Sequence, residues 1–294
     1  MKRTGFFGIV GRPNVGKSTL LNSILGQKIA IVSDKPQTTR NRIAGIETRG
    51  EDQFVFLDTP GIFSAKNSLG DYMVKSASSV MQEADAVILV ADAGFEPADV
   101  EKRVIRYLKQ SGTPGILVLN KTDLYRGEAI GKTILAYAAL HDFFAVIPMS
   151  AKKGKQVEDL LSECAKLLHE GEWFYEEDDL TDQPLKRIAA EIIREKILRT
   201  LDKEVPHGVA VVIEEYKIEE GVTRVRAEIF CEKASHKGIL VGKGGETLKR
   251  IGSYAREDLE KMLEGKVYLD LWVKVKENWR DSQRDLVEFG FQDD

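Results

Sequence analysis

Residues 11–18 read Gly-Arg-Pro-Asn-Val-Gly-Lys-Ser, and Thr19 follows. Residue types in this order can hold a phosphate chain. The glycines let consecutive backbone N–H groups turn toward phosphate oxygens, and a helix that starts at the lysine adds the positive end of its dipole. Lys17 brings a full charge, and the Ser18 hydroxyl can sit on a magnesium ion that bridges the terminal phosphates. Gly11, Arg12, Pro13, Asn14, Val15, Gly16, Lys17, Ser18 and Thr19 are therefore the first candidate site, with Mg2+ as its cofactor.

Three further clusters extend the same chemistry. Asp58-Thr59-Pro60-Gly61 closes an apolar run and is followed by Ile62. A carboxylate placed there reaches the magnesium shell, while the Gly61 N–H senses the terminal phosphate. Asn120-Lys121-Thr122-Asp123 closes another run. Asp123 can accept from both the ring N–H and the exocyclic amine of guanine, a donor pair that adenine lacks, and Asn120 can brace the neighbouring loops. Ser150-Ala151-Lys152 can complete the base pocket through backbone groups. Each cluster alone could be an ordinary strand-end turn. All four in order, each at a strand end, specify GTP and its product GDP.

The last third carries a different pattern. Val241-Gly242-Lys243-Gly244-Gly245 lies between two helical segments. Lys233, His236, Lys237, Lys243, Lys249 and Arg250 surround it, against only Glu232 and Glu246. Glycines let a phosphodiester chain approach and the cations hold it, with Ile239, Leu240 and Val241 as candidate walls for unstacked bases. Gly-Lys-Gly-Gly alone better describes a glycine helix cap with a solvated basic face. The stretch 271–280, with Trp272 and Trp279, reads as a half-buried strand plus an aromatic anchor.

Such groups need a scaffold that brings separate loops to one edge. Up to about residue 170, short β-branched runs (6–10, 54–57, 86–91, 115–119 and 143–148) alternate with amphipathic stretches (17–25, 97–110, 128–140 and 156–169). That alternation predicts a mostly parallel sheet with helices on both faces. Residues 171–184 are acidic, aromatic and unperiodic, as in a linker. Beyond them come a helix over 186–201 with Ile188, Ile192, Ile193 and Ile197 on one face, strands over 209–216 and 223–231, the helical pair around the glycines, and a strand over 267–275. The order is α-β-β-α-α-β, which makes a nucleic-acid clamp the better reading of Gly242 to Gly245. The expected domains are 1–172, a linker 173–185 and 186–294.

The chain has 294 residues, about twice the usual length of one domain, so two cores are expected. At 43 % apolar and 31 % charged, it contains no apolar run near the roughly 20 residues that cross a bilayer. The basic and apolar start runs straight into the phosphate motif and reads as a first strand. The net charge of −4 resolves into +2 over 1–172, −5 over 173–185 and −1 over 186–294, so bulk charge does not announce nucleic acid. Cys164 and Cys231 lack ligand spacing and read as core thiols in a reducing cytoplasm.

On these motifs the chain resembles the translation-factor-related GTPases and, with the glycine turn of its last third, the Era family of ribosome-associated GTPases over essentially its whole length. The resemblance implies an α/β P-loop GTPase domain followed by an α+β type II KH domain whose GXXG turn clamps RNA. It implies GTP hydrolysis with Lys17, Thr39, Asp58 and Gly61 in the catalytic set and Ser18, Thr39 and Asp58 around magnesium. In that family a threonine in the loop before the second strand closes on the metal. Gln37-Thr38-Thr39-Arg40 occupies this place, and of its two threonines Thr39 is favoured. The loop 33–42 and the segment 61–69 are the expected mobile elements.

The resemblance also implies the 3′ end of 16S ribosomal RNA as ligand, a role in 30S subunit maturation, and peripheral contact with the cytoplasmic membrane. The chain is expected to act as a cytoplasmic monomer. Where small GTPases place a water-orienting glutamine, this chain has Ile62, so intrinsic hydrolysis should be slow. In related GTPases with an apolar residue there, an asparagine at the position of Asn14 supports activation by K+; the plainer role for Asn14 is a hydrogen bond to its own loop. Ile62 also motivates a rival reading, an RNA-binding module that keeps guanine nucleotide without turning it over. A tandem GTPase would need two phosphate loops, and the chain has one.

Overall fold

The computed structural model describes residues 1–33, 35, 38–62, 67–202 and 205–291. The chain forms two compact units, one of residues 1–30, 39–65 and 73–182, the other of residues 31–38, 66–72 and 183–294.

In the first unit, among the described residues, seven strands form one sheet: β1 (Arg3–Val10), β2 (Ile43–Arg49), β3 (Asp52–Asp58), β4 (Ala86–Asp92), β5 (Gly115–Asn120), β6 (Ala145–Pro148) and β7 (His169–Glu170). The order is β2-β3-β1-β4-β5-β6, with the short β7 on β1. β3, β1, β4, β5 and β6 run parallel, while β2 and β7 pair antiparallel. The central β4, Ala-Val-Ile-Leu-Val-Ala-Asp, is buried along its whole length, as a strand covered on both faces must be.

One cover is α1 (Lys17–Leu25) and α5 (Val157–Ala165), which bury Leu20, Leu21, Ile24, Leu160 and Cys164 against Phe7, Phe56 and Val90. On the other face Val104, Ile105 and Leu108 of α3 (Asp99–Ser111) and Tyr137 of α4 (Gly127–Ala138) pack on Leu89, Leu117 and Leu119, joined by Ala77 and Met81 of α2 (Ser68–Glu83). The doubly covered parallel sheet expected from the alternation is present. β2, β7 and α2 are additions to the expected list, and α5 ends at Ala165, short of the expected 169. The acidic stretch is laid along the sheet: Thr181 Oγ1 donates to Ala44 O at 2.6 Å, Leu180 O accepts from Ile46 N, and Gln53 Oε1 accepts from the N–H groups of Phe174 and Tyr175.

In the second unit, α6 (Leu185–Thr200), α7 (Ala234–Val241) and α8 (Glu246–Leu263) cover one face of a three-stranded sheet of order β10-β9-β8. β8 (Val209–Glu219) and β9 (Val222–Cys231) form a hairpin whose two connecting residues, Glu220 and Gly221, both take left-handed φ. This is the turn that suits the natural strand twist. β10 (Lys266–Val275) runs parallel to β9, so the chain must cross over between them, and α7 and α8 are that crossover. The α-β-β-α-α-β order is as expected. Trp279 is fully buried, donates to Gly208 O at 3.1 Å and stacks with Phe291, so it anchors the residues that follow α9 (Gln283–Glu288), the last described element. Cys231 lies in this core.

Candidate functional site

Four loops that leave the C-terminal ends of β1, β3, β5 and β6 carry the first-half motifs, the edge at which open parallel sheets bind ligands. Gly16, with φ +101, precedes α1, and no side chain caps the helix start. A Cβ on Gly16 would come within 2.3 Å of Asn120 Nδ2. Only glycine lets the loop turn there and leaves the first N–H groups of α1 open to an anion.

Lys17 is buried and its ammonium donates to the carbonyls of Gly11 and Arg12 at 3.2 and 2.9 Å. Burial pulls its pKa down to about 8, against the pull of Asp58. The loop is fixed from three sides. Arg12 Nε pairs with the fully buried Glu101 at 2.5 Å, Val15 is in the core, and Ile62 N donates to Gly11 O at 3.1 Å. Glu101 also accepts from Ala98 N at 3.2 Å, so one carboxylate caps α3 and anchors the loop. Asn14 is exposed with φ +63, and Thr19 is half-buried in α1.

Ser18, Thr39 and Asp58 meet. Ser18 Oγ donates to Asp58 Oδ2 at 2.6 Å and lies 2.7 Å from Thr39 Oγ1. Asp58 is fully buried and its other oxygen, Oδ1, has no hydrogen-bond partner. Burial raises its pKa to about 6, offset mainly by Lys17 and Ser18, so it is a carboxylate at neutral pH. An all-oxygen set with an unsatisfied buried carboxylate oxygen fits a small hard cation such as magnesium. Thr59 donates to Ile9 O at 2.8 Å, Pro60 is buried, and Gly61 follows. Ile62 is buried among Val10, Leu89 and Ala91 and serves the core. Of the segment 61–69, residues 63–66 lie outside the described residues, as do 34, 36 and 37 of the loop 33–42.

Asn120 ties two loops together. Its Nδ2 donates to Val15 O and its Oδ1 accepts from Ala151 N, both at 2.9 Å. Asp123 is exposed, accepts from Ser150 Oγ at 2.6 Å and, through that bond above all, sits below the usual carboxylate range. Lys121 pairs with Asp92 at 3.0 Å, and Thr122 N donates to Met149 O. Ser150 and Ala151 are buried and Lys152 is exposed. Asp123 thus points an ionised, oriented acceptor to solvent.

In the second unit Gly242 to Gly245 join α7 to α8. Gly242 has φ +74, and a Cβ there would fall 2.3 Å from Thr247 Oγ1. Lys233 precedes α7, which carries His236 and Lys237; Lys243 is in the turn with Gly244, and Lys249 and Arg250 are on α8. All five lysine and arginine side chains are exposed, whereas His236 is half-buried. Glu232 is engaged by Arg280 at 2.5 Å, which removes one of the two opposing acids.

The apolar wall is only in part the expected one: of Ile239, Leu240 and Val241, Ile239 alone is exposed. Leu240 is fully buried in the core and Val241 packs against it. The groove beside the turn, about 430 Å³, is lined instead by Leu248, Leu269 and Leu271 with Gly245, Lys249, Gly252, Ser253 and Arg256. A helix places only some of its apolar residues outward, and Leu240 falls on the inner side of α7.

A family model described as "50S ribosome-binding GTPase" matches residues 6–121, and one described as "KH domain" matches residues 204–280. The chain is 49 % identical to GTPase Era of Ruminiclostridium cellulolyticum, covering 99 % of this chain and 98 % of that one. It is also 49 % identical to GTPase Era of Clostridium botulinum strain Kyoto, covering 99 % of each. Two solved structures superpose with TM-scores of 0.95 at 38 % identity. One is a variant of Aquifex aeolicus Era bound to GDP and AlF4−, covering 98 % of this chain and 99 % of that chain. The other is Era in complex with MgGDPNP and nucleotides 1506–1542 of 16S ribosomal RNA, covering 99 % of each.

Proposed function

Given that this chain belongs to the Era family of GTPases and hydrolyses GTP, we propose that it couples hydrolysis to binding the 3′ end of 16S ribosomal RNA during 30S subunit assembly. The observation that carries this reading is the pairing, in one chain, of a complete guanine-nucleotide constellation with a basic glycine turn beside an apolar groove. A relative that matches the whole chain holds MgGDPNP and 16S ribosomal RNA nucleotides together. The rival without turnover is set aside, because the family hydrolyses GTP. The working boundaries are 1–172 for the nucleotide domain, 173–185 for the connecting stretch and 186–294 for the RNA domain. A cytoplasmic monomer with peripheral membrane contact belongs to the same reading. No described helix is long and apolar enough to cross a membrane.

In this reading Ser18, Thr39 and Asp58 would hold magnesium, which would offset the charge of the terminal phosphates. Lys17 and the N–H groups of the loop bind the β and γ phosphates, the Gly61 N–H reports the γ phosphate, and Asp123 reads the base. Asn120 keeps the phosphate loop and the base loop in register. Ile62, buried in the core, leaves the attacking water without a side-chain orienter.

A monovalent cation beside the phosphates is the proposed substitute, with the exposed Asn14 in its shell; it would supply positive charge where charge develops. Single-turnover hydrolysis should then be about tenfold faster in K+ than in Na+ at matched ionic strength, a modest share of what a charge at this place can give. Asn14→Ala should lose the difference and keep GTP. Equal rates in the two salts would remove potassium from the mechanism.

For RNA, Lys243→Asp with Gly244→Asp should weaken a synthetic 16S 3′-end RNA by roughly a hundredfold, since two negative charges face the backbone where one lysine stood. GTP affinity should not change, and wild-type affinity should fall with salt. Undiminished binding by a folded variant would move the RNA to another surface.

A further inference from the structure

Ile188, Ile192, Ile193 and Ile197 of α6 pack in the core of the second unit. Residues off that stripe should be solvated, yet Arg194 and Glu195 are only 2 % and 0 % exposed. Each meets backbone of a residue of the same compact unit, Thr38 for Arg194 and Val32 for Glu195. Glu195 Oε1 accepts from Val32 N at 3.0 Å, and Arg199 Nη2 donates to Val32 O at 2.9 Å. Both polar groups of Val32 are thus taken up by one helix. At the other end of the stretch Arg194 Nη2 donates to Thr38 O, while Glu191 takes Arg194 Nε and Nη2 at 2.8 and 2.5 Å. Between them Lys35 donates to Leu201 O, and Thr38 Oγ1 donates to Lys35 O at 2.6 Å.

A buried ion pair is weak support for stability, since apolar side chains of similar volume often do as well. Here Arg194 and Glu195, besides their ion pairs with Glu191 and with Lys196 and Arg199, each spend one contact on backbone atoms of the segment that leads into Thr39. Thr39 begins about 3.8 Å along the chain from Thr38, too short a span to absorb a shift of the pinned carbonyl. Its hydroxyl is the one that lies 2.7 Å from Ser18 Oγ.

We propose that Arg194 and Glu195 are positioning residues for GTP hydrolysis: they pin Thr38 and Val32 and thereby set the Thr39 hydroxyl. This rests on the reading of Thr39 as a magnesium ligand.

The test is single-turnover GTP hydrolysis and GDP affinity of the full chain. Arg194→Met keeps most of the volume and removes the donors; it should slow hydrolysis about tenfold and leave the GDP Kd within about twofold. Combined with Thr39→Ala it should be no slower than Thr39→Ala alone, because the pin acts only through that hydroxyl. Glu195→Gln keeps an acceptor for Val32 N and should run near the wild-type rate, whereas Glu195→Ala should be slow. Multiplicative losses for Arg194→Met and Thr39→Ala, or equal losses for the two Glu195 variants, would overturn the proposal. Wild-type speed in Thr39→Ala would overturn the threonine reading itself, and a slow Thr39→Ala beside a fast Arg194→Met would overturn only the pin. Should Arg194→Met fail to fold, the Glu195 pair decides.

Discussion

Lys17→Ala is expected to lose GTP and GDP together, by roughly a thousandfold in Kd, the worth of two charge-assisted hydrogen bonds of about 2 kcal/mol each. The fold has already desolvated this ammonium and parked it on two loop carbonyls, so little remains to be ordered when phosphates arrive. Because burial disfavours the charged form, the free site holds Lys17 at a pKa of about 8. Nucleotide phosphates favour the charge, so binding should be level below about pH 8 and should weaken by up to tenfold per unit above it. The alanine variant should lack that dependence.

The same shift separates lost binding from lost folding. Between about pH 8 and 10.5 the unfolded chain binds more protons at Lys17 than the folded one, so this residue makes the apo fold gain stability as pH rises through that window. Its charged form is a burden on the fold below it. The Tm of the apo variant at pH 7 should therefore not fall. Nucleotide titration by calorimetry at pH 7 and 9 checks both arms, and an alanine variant that still binds GTP tightly would mean the loop holds something else.

What the sequence made legible was whatever is contiguous. The phosphate loop, Asp58 to Gly61, Asn120 to Asp123 and Ser150 to Lys152 are short because each occupies one strand end, and strand ends of a parallel sheet lie together by topology. Groups that act across the fold gave no such signal. Glu101 reads as an ordinary first-turn acid of a helix, and only the folded chain brings it to Arg12.

β2 is hidden for a local reason: Ile-Ala-Gly-Ile-Glu-Thr-Arg carries a glycine at its third place and its apolar residues do not alternate with polar ones, so period two is absent. α2 carries Gly70 and four serines, weak helix formers that the core contacts of its Ala77, Val80 and Met81 override. In the last third the turn was legible and its groove was not. Leu248, Leu269 and Leu271 become neighbours only when β10 returns beside α8. The same blindness hid Arg194 and Glu195, which look in sequence like the polar face of α6.

Asp123→Asn should reverse the choice of base. The carboxylate accepts from two guanine donors; an amide offers one acceptor and one donor, so one guanine N–H meets another N–H. Losing one hydrogen bond to a charged group and leaving a donor opposed should weaken GTP by roughly a hundredfold to a thousandfold. Xanthosine triphosphate presents a carbonyl where guanosine triphosphate presents the amine, and it should gain by a similar factor. Ser150 sets the direction of this exchange, because its hydroxyl donates to Asp123 Oδ1 at 2.6 Å and will keep the amide oxygen on that side. The amide nitrogen then takes the place of Oδ2. Competition between the two triphosphates for a fluorescent nucleotide analogue measures the reversal directly. Unchanged GTP affinity in a folded variant would take the base away from Asp123, and equal loss of both triphosphates would mean that the residue supports its loop without reading the ring.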